Sequence, residues 1–138
     1  MNDVRYELRV IGVVDSPLVE VTDAPAQGDE GELEAWITMR AEYLPAMRDL
    51  VAGERVIVLT WLDRGDRNVL EVHPRGDPTR PLHGVFSTRS PDRPNPIGLH
   101  EVEIVAIEGA RLRVRDLEAI SGTPVLDIKP VLGPVDTR

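Results

Sequence analysis

Three prolines within six positions, Pro91, Pro94 and Pro96, are the feature that most restricts how this chain folds. Each proline fixes its own φ angle and disfavours helical backbone at the residue before it. The segment is therefore predicted to be a stiff, extended loop. Because its shape is largely fixed before any ligand binds, such a loop loses little conformational entropy when a ligand does bind.

Arg89, Arg93 and Asn95 supply hydrogen-bonding groups to the same loop. A guanidinium offers a planar donor fork that suits a carboxylate or a phosphate, and a side-chain amide both donates and accepts. The residues themselves leave two interpretations open: a solvated connection between strands and a ligand-binding loop.

The length of the chain and its lack of cysteine limit the other possibilities. A chain of 138 residues is the size of one domain, so a single domain over residues 1–138 is predicted. With no cysteine, disulfides, thiolate zinc sites and cysteine nucleophiles are excluded. No apolar run approaches the roughly 20 residues that a membrane-spanning helix needs, and the N-terminus has no apolar signal core. A cytoplasmic protein with no membrane association is expected.

The formal net charge of −8 disfavours long-range attraction to nucleic acid, whose binding surfaces are normally basic. The acidity lies mostly in the first half, because residues 1–70 contain 14 acidic and 7 basic side chains whereas residues 71–138 contain 10 and 9. Residues 75–93 carry four arginines against two aspartates, and His73 and His83 lie close by. A local basic surface on an acidic body is therefore predicted.

Apolar patterning predicts a chain made mostly of strands. Strands are predicted over Tyr6–Val14, Leu33–Met39, Arg55–Leu62, Val69–Val72 and Val125–Pro130, with a β-hairpin that turns at Glu108–Ala110. The run Arg55–Leu62 is apolar enough to predict a central strand that is buried on both faces. Apolar residues near helical spacing between Glu42 and Val51 predict one short helix that ends at Gly53. No glycine-rich strand–turn–helix fingerprint is present, which excludes the doubly wound methyltransferase fold.

Two longer blocks, Gly84–Leu99 and Asp116–Pro130, resemble the TrmO (YaeB, TsaA-like) family of S-adenosylmethionine-dependent tRNA methyltransferases. Weaker similarity covers nearly the whole chain. The resemblance implies a mainly-β fold, a small single-domain β-barrel with one short helix, that binds S-adenosylmethionine at or near the interface of a homodimer.

The resemblance also implies which residues form the site. The family's Pro-Arg-Gln motif, which contacts the methyl donor, aligns with Pro25, Ala26 and Gln27, and its His-Gln pair aligns with Asp63 and Arg64, so the side chains differ at three positions. The residues predicted to bind the donor are Pro25, Ala26, Gln27, Asp63, Arg64, Arg89 and Leu99. Arg93 and Asn95 are predicted to bind the acceptor substrate.

Asp127 and Lys129 lie two residues apart on a predicted strand within the second block, which places them on one face together with Val125. They form either a surface pair or the catalytic edge of the site, and the resemblance favours the catalytic interpretation, in which Asp127 assists with the proton.

The activity implied is methylation of the exocyclic amine of threonylcarbamoyl-adenosine at position 37 of tRNA, with no metal. Two alternatives stay open: a methyltransferase that acts on a small-molecule acceptor, and a non-catalytic module that binds S-adenosylmethionine.

Overall fold

The computed structural model describes residues 3–17 and 33–133. The predicted loop Thr22–Gly31, with Pro25, Ala26 and Gln27, lies outside these ranges. The strands of the described residues are β1 (Gly12–Asp15), β2 (Glu34–Met39), β3 (Arg55–Trp61), β4 (Glu71–Val72), β5 (His83–Gly84), β6 (Ile97–Glu108), β7 (Arg111–Arg115) and β8 (Pro124–Pro130).

Six of these strands form one closed antiparallel sheet in the order β1, β2, β7, β6, β3, β8, with β8 pairing back to β1. Each strand therefore has a neighbour on both sides, which removes the free edges that make short strands prone to aggregation. The mainly-β prediction is confirmed. None of the helices in the described residues is long and apolar enough to span a membrane.

Strict alternation of side chains places the core inside the closed sheet. In β2 the buried residues are Ala35, Ile37 and Met39, and the intervening side chains are exposed or half-buried. The other strands contribute in the same way, with the fully or almost fully buried Val14, Val56, Val58, Val102, Ile104, Leu112, Val114 and Val125.

The twelve-residue strand β6 lies between β3 and β7, and its pairing with β7 shifts register between Ile104 and Ala106. It pairs with β3 over residues 97–103 and with β7 over residues 103–108. The predicted hairpin is confirmed, and it turns at Gly109, whose φ of 60° is a left-handed conformation that glycine adopts without strain.

The predicted strand Tyr6–Val14 is largely wrong, because β1 begins only at Gly12. Sheet contacts start at Ile11, whose amide donates to Val125 and whose carbonyl accepts from Arg40. Within the described residues, the preceding segment has no strand partner, and Tyr6 is 86% exposed. Residue pattern alone does not supply the neighbour that a strand needs.

The predicted helix is a 3-10 helix, Ala41–Met47, rather than an α-helix that reaches Val51. Pro45 lies inside it and has no amide hydrogen, and the chain closes with short-range bonds such as Arg48 N to the Pro45 carbonyl. Gly53 follows with a φ of 97°, in agreement with its predicted role as a terminator.

Two further strand predictions need correction. β3 is central, between β6 and β8, but only one of its faces is buried, because a closed sheet has a single interior. The strand predicted over Val69–Val72 is shortened to Glu71–Val72, which pairs with His83–Gly84 as a separate two-stranded sheet.

Candidate functional site

A cleft of about 570 Å³, called here the first cleft, opens at the end of the closed sheet where β3 and β6 meet. Three parts of the chain line it. They are residues 62–65 after β3, residues 89, 91–93 and 97–100 from the proline loop and the start of β6, and residues 118–120 and 123 before β8. Small-molecule sites in proteins are typically about 300–1,000 Å³, so the first cleft is of a size that holds one such ligand.

The proline loop is held by the turn that follows β3. Asp92 Oδ1 accepts from the amide of Asp66 at 2.9 Å, and Arg67 donates to the Pro94 carbonyl at 2.7 Å and to Asn95 Oδ1 at 2.9 Å. The Arg67 guanidinium also lies 5.2 Å from the centre of the Trp61 ring, a favourable cation–π distance. These contacts give the predicted stiff loop a fixed position beside the sheet.

A threonine–histidine pair lies at the first cleft, which His100 lines. Thr60 is fully buried, and its Oγ1 lies 2.9 Å from Nε2 of His100, a hydrogen bond between β3 and β6. Gly98 lies directly opposite Thr60 in the sheet. A Cβ at residue 98 would stand 2.4 Å from Thr60 Oγ1 and 2.8 Å from His100 Nε2, so the pair forms only because this residue has no side chain.

The environment of His100 keeps its imidazole neutral. Burial is the larger cause and the positive charge of Arg89 the smaller, and together they lower its pKa from 6.5 to about 4. At neutral pH the first cleft therefore contains the guanidinium of Arg89 without a second positive charge from His100.

Four of the residues predicted to bind the donor line the first cleft: Asp63, Arg64, Arg89 and Leu99. Asp63 and Arg64 come from the turn after β3, Arg89 from the proline loop, and Leu99 from β6. They are up to 36 positions apart in the chain, and the sheet brings them to one cleft. The three remaining donor residues, Pro25 to Gln27, lie outside the described residues.

Arg93 also lines the first cleft, but its guanidinium is engaged by the loop itself. Nη1 and Nη2 each donate to the Thr88 carbonyl at 3.0 Å, and Nη2 donates to the Val85 carbonyl. The side chain of Asn95 accepts from Arg67, and Asn95 does not line the first cleft. These contacts hold the loop together, and acceptor binding by Arg93 and Asn95 remains a prediction.

Asp127 and Lys129 form an ion pair on the outer surface of β8. Lys129 Nζ lies 3.2 Å from Asp127 Oδ2, and the lysine and aspartate side chains are 60% and 48% exposed. The expectation that Val125 shares their face is wrong, because Val125 is fully buried. The pairing with β3 shifts register so that Leu126 is an extra residue, and this bulge reverses the alternation. Neither residue lines the first cleft, and their catalytic role remains a prediction.

Sequence reasoning did not single out His100, Glu118, Ile120 and Thr123, which also line the first cleft. Glu118, Ile120 and Thr123 lie within Asp116–Pro130, the second block that resembles the family, and this resemblance could have indicated them. His100 carries no such signal, since its contact with Thr60 depends on strand register. In the described parts of the chain, no three His, Asp or Glu side chains come together in a way that could hold a metal ion.

Fold and cleft together define a class of small, mainly-β proteins in which a proline-stiffened loop forms one wall of a ligand-sized cleft. Residues 13–137 match the family model described as the tRNA-methyltransferase O N-terminal domain. The chain belongs to this family, and the resemblance seen in the two sequence blocks is confirmed.

Similar proteins agree with this membership. A probable S-adenosyl-L-methionine-binding protein of Methanothermobacter thermautotrophicus is 47% identical over 137 residues, which cover 99% of this chain and 98% of the relative. An S-adenosyl-L-methionine-binding protein of Archaeoglobus fulgidus is 43% identical over 94% of this chain and 91% of its own length. A crystal structure of TrmO from Pseudomonas aeruginosa superposes with a TM-score of 0.77 at 25% identity, and it covers 98% of this chain. The chain spans 60% of the length of that TrmO chain.

Proposed function

We propose that this protein is an S-adenosylmethionine-dependent methyltransferase that acts on the exocyclic amine of threonylcarbamoyl-adenosine at position 37 of tRNA. The observation that carries the proposal is the convergence of Asp63, Arg64, Arg89 and Leu99 on the first cleft. Family membership supports it independently.

The residues of the first cleft fit the chemical groups of the donor. S-adenosylmethionine combines an amino-acid carboxylate and ammonium with an adenine ring. Arg89 would bind the carboxylate, Asp63 or Glu118 would bind the ammonium, and the apolar side chains of Leu99 and Ile120 would contact the adenine.

The neutral state of His100 supports the same assignment. A sulfonium is a fixed positive charge, and an imidazolium in the first cleft would repel it. Because burial and Arg89 hold the pKa of His100 at about 4, the imidazole adds no charge at neutral pH.

When bound, the donor supplies an electrophilic methyl group whose transfer needs an in-line nucleophile and no metal. The acceptor nitrogen gains the new C–N bond as the C–S bond breaks, S-adenosylhomocysteine leaves, and the amine proton passes to a base. Asp127 remains the predicted base. The main contribution of the protein is to hold the two reactants in line, for which the stiff loop and its contacts with the turn after β3 are suited.

A comparison of tRNA nucleosides by mass spectrometry tests this proposal. The purified protein, incubated with S-adenosylmethionine and tRNA that bears the threonylcarbamoyl group, should convert the modified adenosine to its methylated form. Omitting the donor is the control. Unmethylated tRNA, in a sample where calorimetry shows that the donor binds, would exclude the tRNA substrate.

The relatives of Methanothermobacter thermautotrophicus and Archaeoglobus fulgidus are named for S-adenosyl-L-methionine binding alone, which favours a second candidate, a module that binds S-adenosylmethionine without catalysis. A module of this kind would bind the donor and form no methylated product on any acceptor, whether tRNA or a small molecule. Donor binding with methylation of a small molecule but not of tRNA would instead support the other alternative, a methyltransferase that acts on a small-molecule acceptor.

A cytoplasmic location, where the proposed substrate is found, belongs to the same proposal. We interpret the closed sheet as the β-barrel that the resemblance implies.

We also propose that the protein is a homodimer. Tyr6 and Leu8 are exposed on a segment without a strand partner in the described residues, and an isologous interface would cover them. Light scattering should give twice the chain mass of 15.3 kDa. A mass equal to one chain at micromolar concentration would contradict the dimer.

A further inference from the structure

A second cleft, of about 890 Å³, lies on the other side of the proline loop. It is lined by residues 72–76, which include the 3-10 turn Pro74–Gly76, by His83 of β5 and by residues 87–92. Arg89, Pro91 and Asp92 line both clefts, so the same stretch of loop separates them. Among the described residues of the proposed donor site, only Arg89 also lines the second cleft.

Two histidines, His73 and His83, line the second cleft. Nδ1 of His73 lies 2.6 Å from the Arg80 carbonyl, and Nδ1 of His83 lies 3.1 Å from the Pro81 carbonyl. A carbonyl only accepts, so each Nδ1 carries the hydrogen, and in this tautomer Nε2 is the ring's acceptor. Within residues 3–17 and 33–133, neither Nε2 has a hydrogen-bond partner.

The turn that carries these carbonyls is itself fixed. Asp77 Oδ1 accepts from the hydroxyl of Thr79 at 2.6 Å and from its amide at 2.9 Å, and these bonds lower the pKa of the Asp77 carboxyl. The imidazoles are therefore attached to an ordered turn rather than to a loose one.

Arg75 adds a cation in an unusual backbone conformation. Its φ of 56° is left-handed, which a residue with a side chain adopts only at a cost, and such outliers cluster at functional sites. The guanidinium makes no ion pair or hydrogen bond with the described residues. With Arg89 it gives this lining two cations against one carboxylate, Asp92, which already accepts from Asp66.

We propose that the second cleft binds the ribose–phosphate backbone of the acceptor RNA, an inference that rests on the proposed function. The imidazole nitrogens accept from ribose 2′-hydroxyls, and the guanidinium of Arg75 binds a phosphate. An acceptor nucleoside that meets the donor in the first cleft has its neighbouring nucleotides across the loop, in the second.

The charge distribution agrees with a local contact of this kind. The chain as a whole carries −8, so long-range attraction is absent and the affinity must come from a few direct contacts. The dependence of binding on salt should therefore be shallow, corresponding to about one phosphate.

The test uses the purified full chain and a labelled tRNA anticodon stem–loop, with binding followed by fluorescence anisotropy. Arg75→Asn removes the cation and keeps a residue that tolerates a left-handed backbone. It should weaken RNA binding about tenfold or more and reduce the salt slope by about one unit. Arg75→Lys keeps the charge and should recover part of the affinity. Arg48→Ala, at an exposed arginine on another part of the surface, is the matched control and should bind as wild type does.

Calorimetry with S-adenosylmethionine separates the two proposals, because the affinity of the Arg75 variant for the donor should not change. If wild type methylates tRNA and Arg75→Asn binds the stem–loop equally well, this inference is overturned and the proposed function stands. If wild type binds the donor but neither binds nor methylates tRNA, both are overturned.

Discussion

The half-buried imidazole of His100 should cost the folded protein stability as pH falls from 6.5 toward 4. Burial, and secondarily Arg89, lower its pKa from the ordinary histidine value of 6.5 to about 4. Between these values the unfolded chain binds a proton at this residue and the folded protein does not, so the free energy of unfolding decreases as pH falls. Above this range both states are neutral, and below it both are protonated.

The magnitude follows from the shift. One pKa unit corresponds to about 1.36 kcal/mol, so a loss of roughly 3 kcal/mol accumulates by the lower limit of the range. At pH 5, about 1.5 units below the unfolded value, the loss should be about 2 kcal/mol.

Urea unfolding at pH 7 and pH 5 measures this loss if wild type is compared with His100→Gln. Glutamine does not titrate and can still form a hydrogen bond with Thr60. Subtracting its pH dependence removes what the carboxylates contribute. Wild type should lose about 2 kcal/mol more than the variant between the two pH values. The surface variant His83→Gln controls for the removal of an imidazole as such. Equal losses in wild type and His100→Gln would refute the reasoning.

Three further outcomes are expected. Gly98→Ala should destabilise the protein by about 1–3 kcal/mol in urea unfolding, because its Cβ would overlap the threonine–histidine pair, whereas Gly84→Ala, with no atom within 4 Å, should be nearly neutral. Arg93→Ala should lower the free energy of unfolding by about 1.5–3 kcal/mol, since two loop carbonyls lose a charged donor, and an unchanged value would contradict its structural role. If Asp127 is the base, Asp127→Asn should reduce kcat on modified tRNA at least tenfold without changing the donor Kd, and an unchanged kcat would assign Asp127 to the surface ion pair alone.

The sequence was sufficient to predict the features that depend on short-range pattern. Alternation in Leu33–Met39 predicted β2 within one residue, and the glycine at residue 109 marked the hairpin turn. Prolines predicted the stiff loop because their φ restriction acts locally. Each of these features is determined by residues close together in the chain.

Features that depend on distant partners were missed or misplaced. The strand predicted from Tyr6 starts at Gly12, because only there does another strand lie alongside. The bulge at Leu126, which separates Val125 from Asp127, depends on pairing with β3. His100 acquired its lowered pKa from burial and from Arg89, neither of which a pattern of neighbouring letters contains.

The stretch of loop from Arg89 to Asp92, called here the partition, separates the first cleft from the second and contributes residues to the lining of both. A ligand that displaced this stretch of loop from one side would change the shape of the opposite cleft, and binding in the two clefts would then be thermodynamically linked. Such linkage is reciprocal. If a ligand in the first cleft changes the affinity of the second cleft by some factor, a ligand in the second cleft changes the affinity of the first by the same factor. Three prolines make the partition stiff, and the contacts of Asp92 and Arg93 hold it on both sides. Titration of either ligand in the presence and absence of the other measures how far the partition moves.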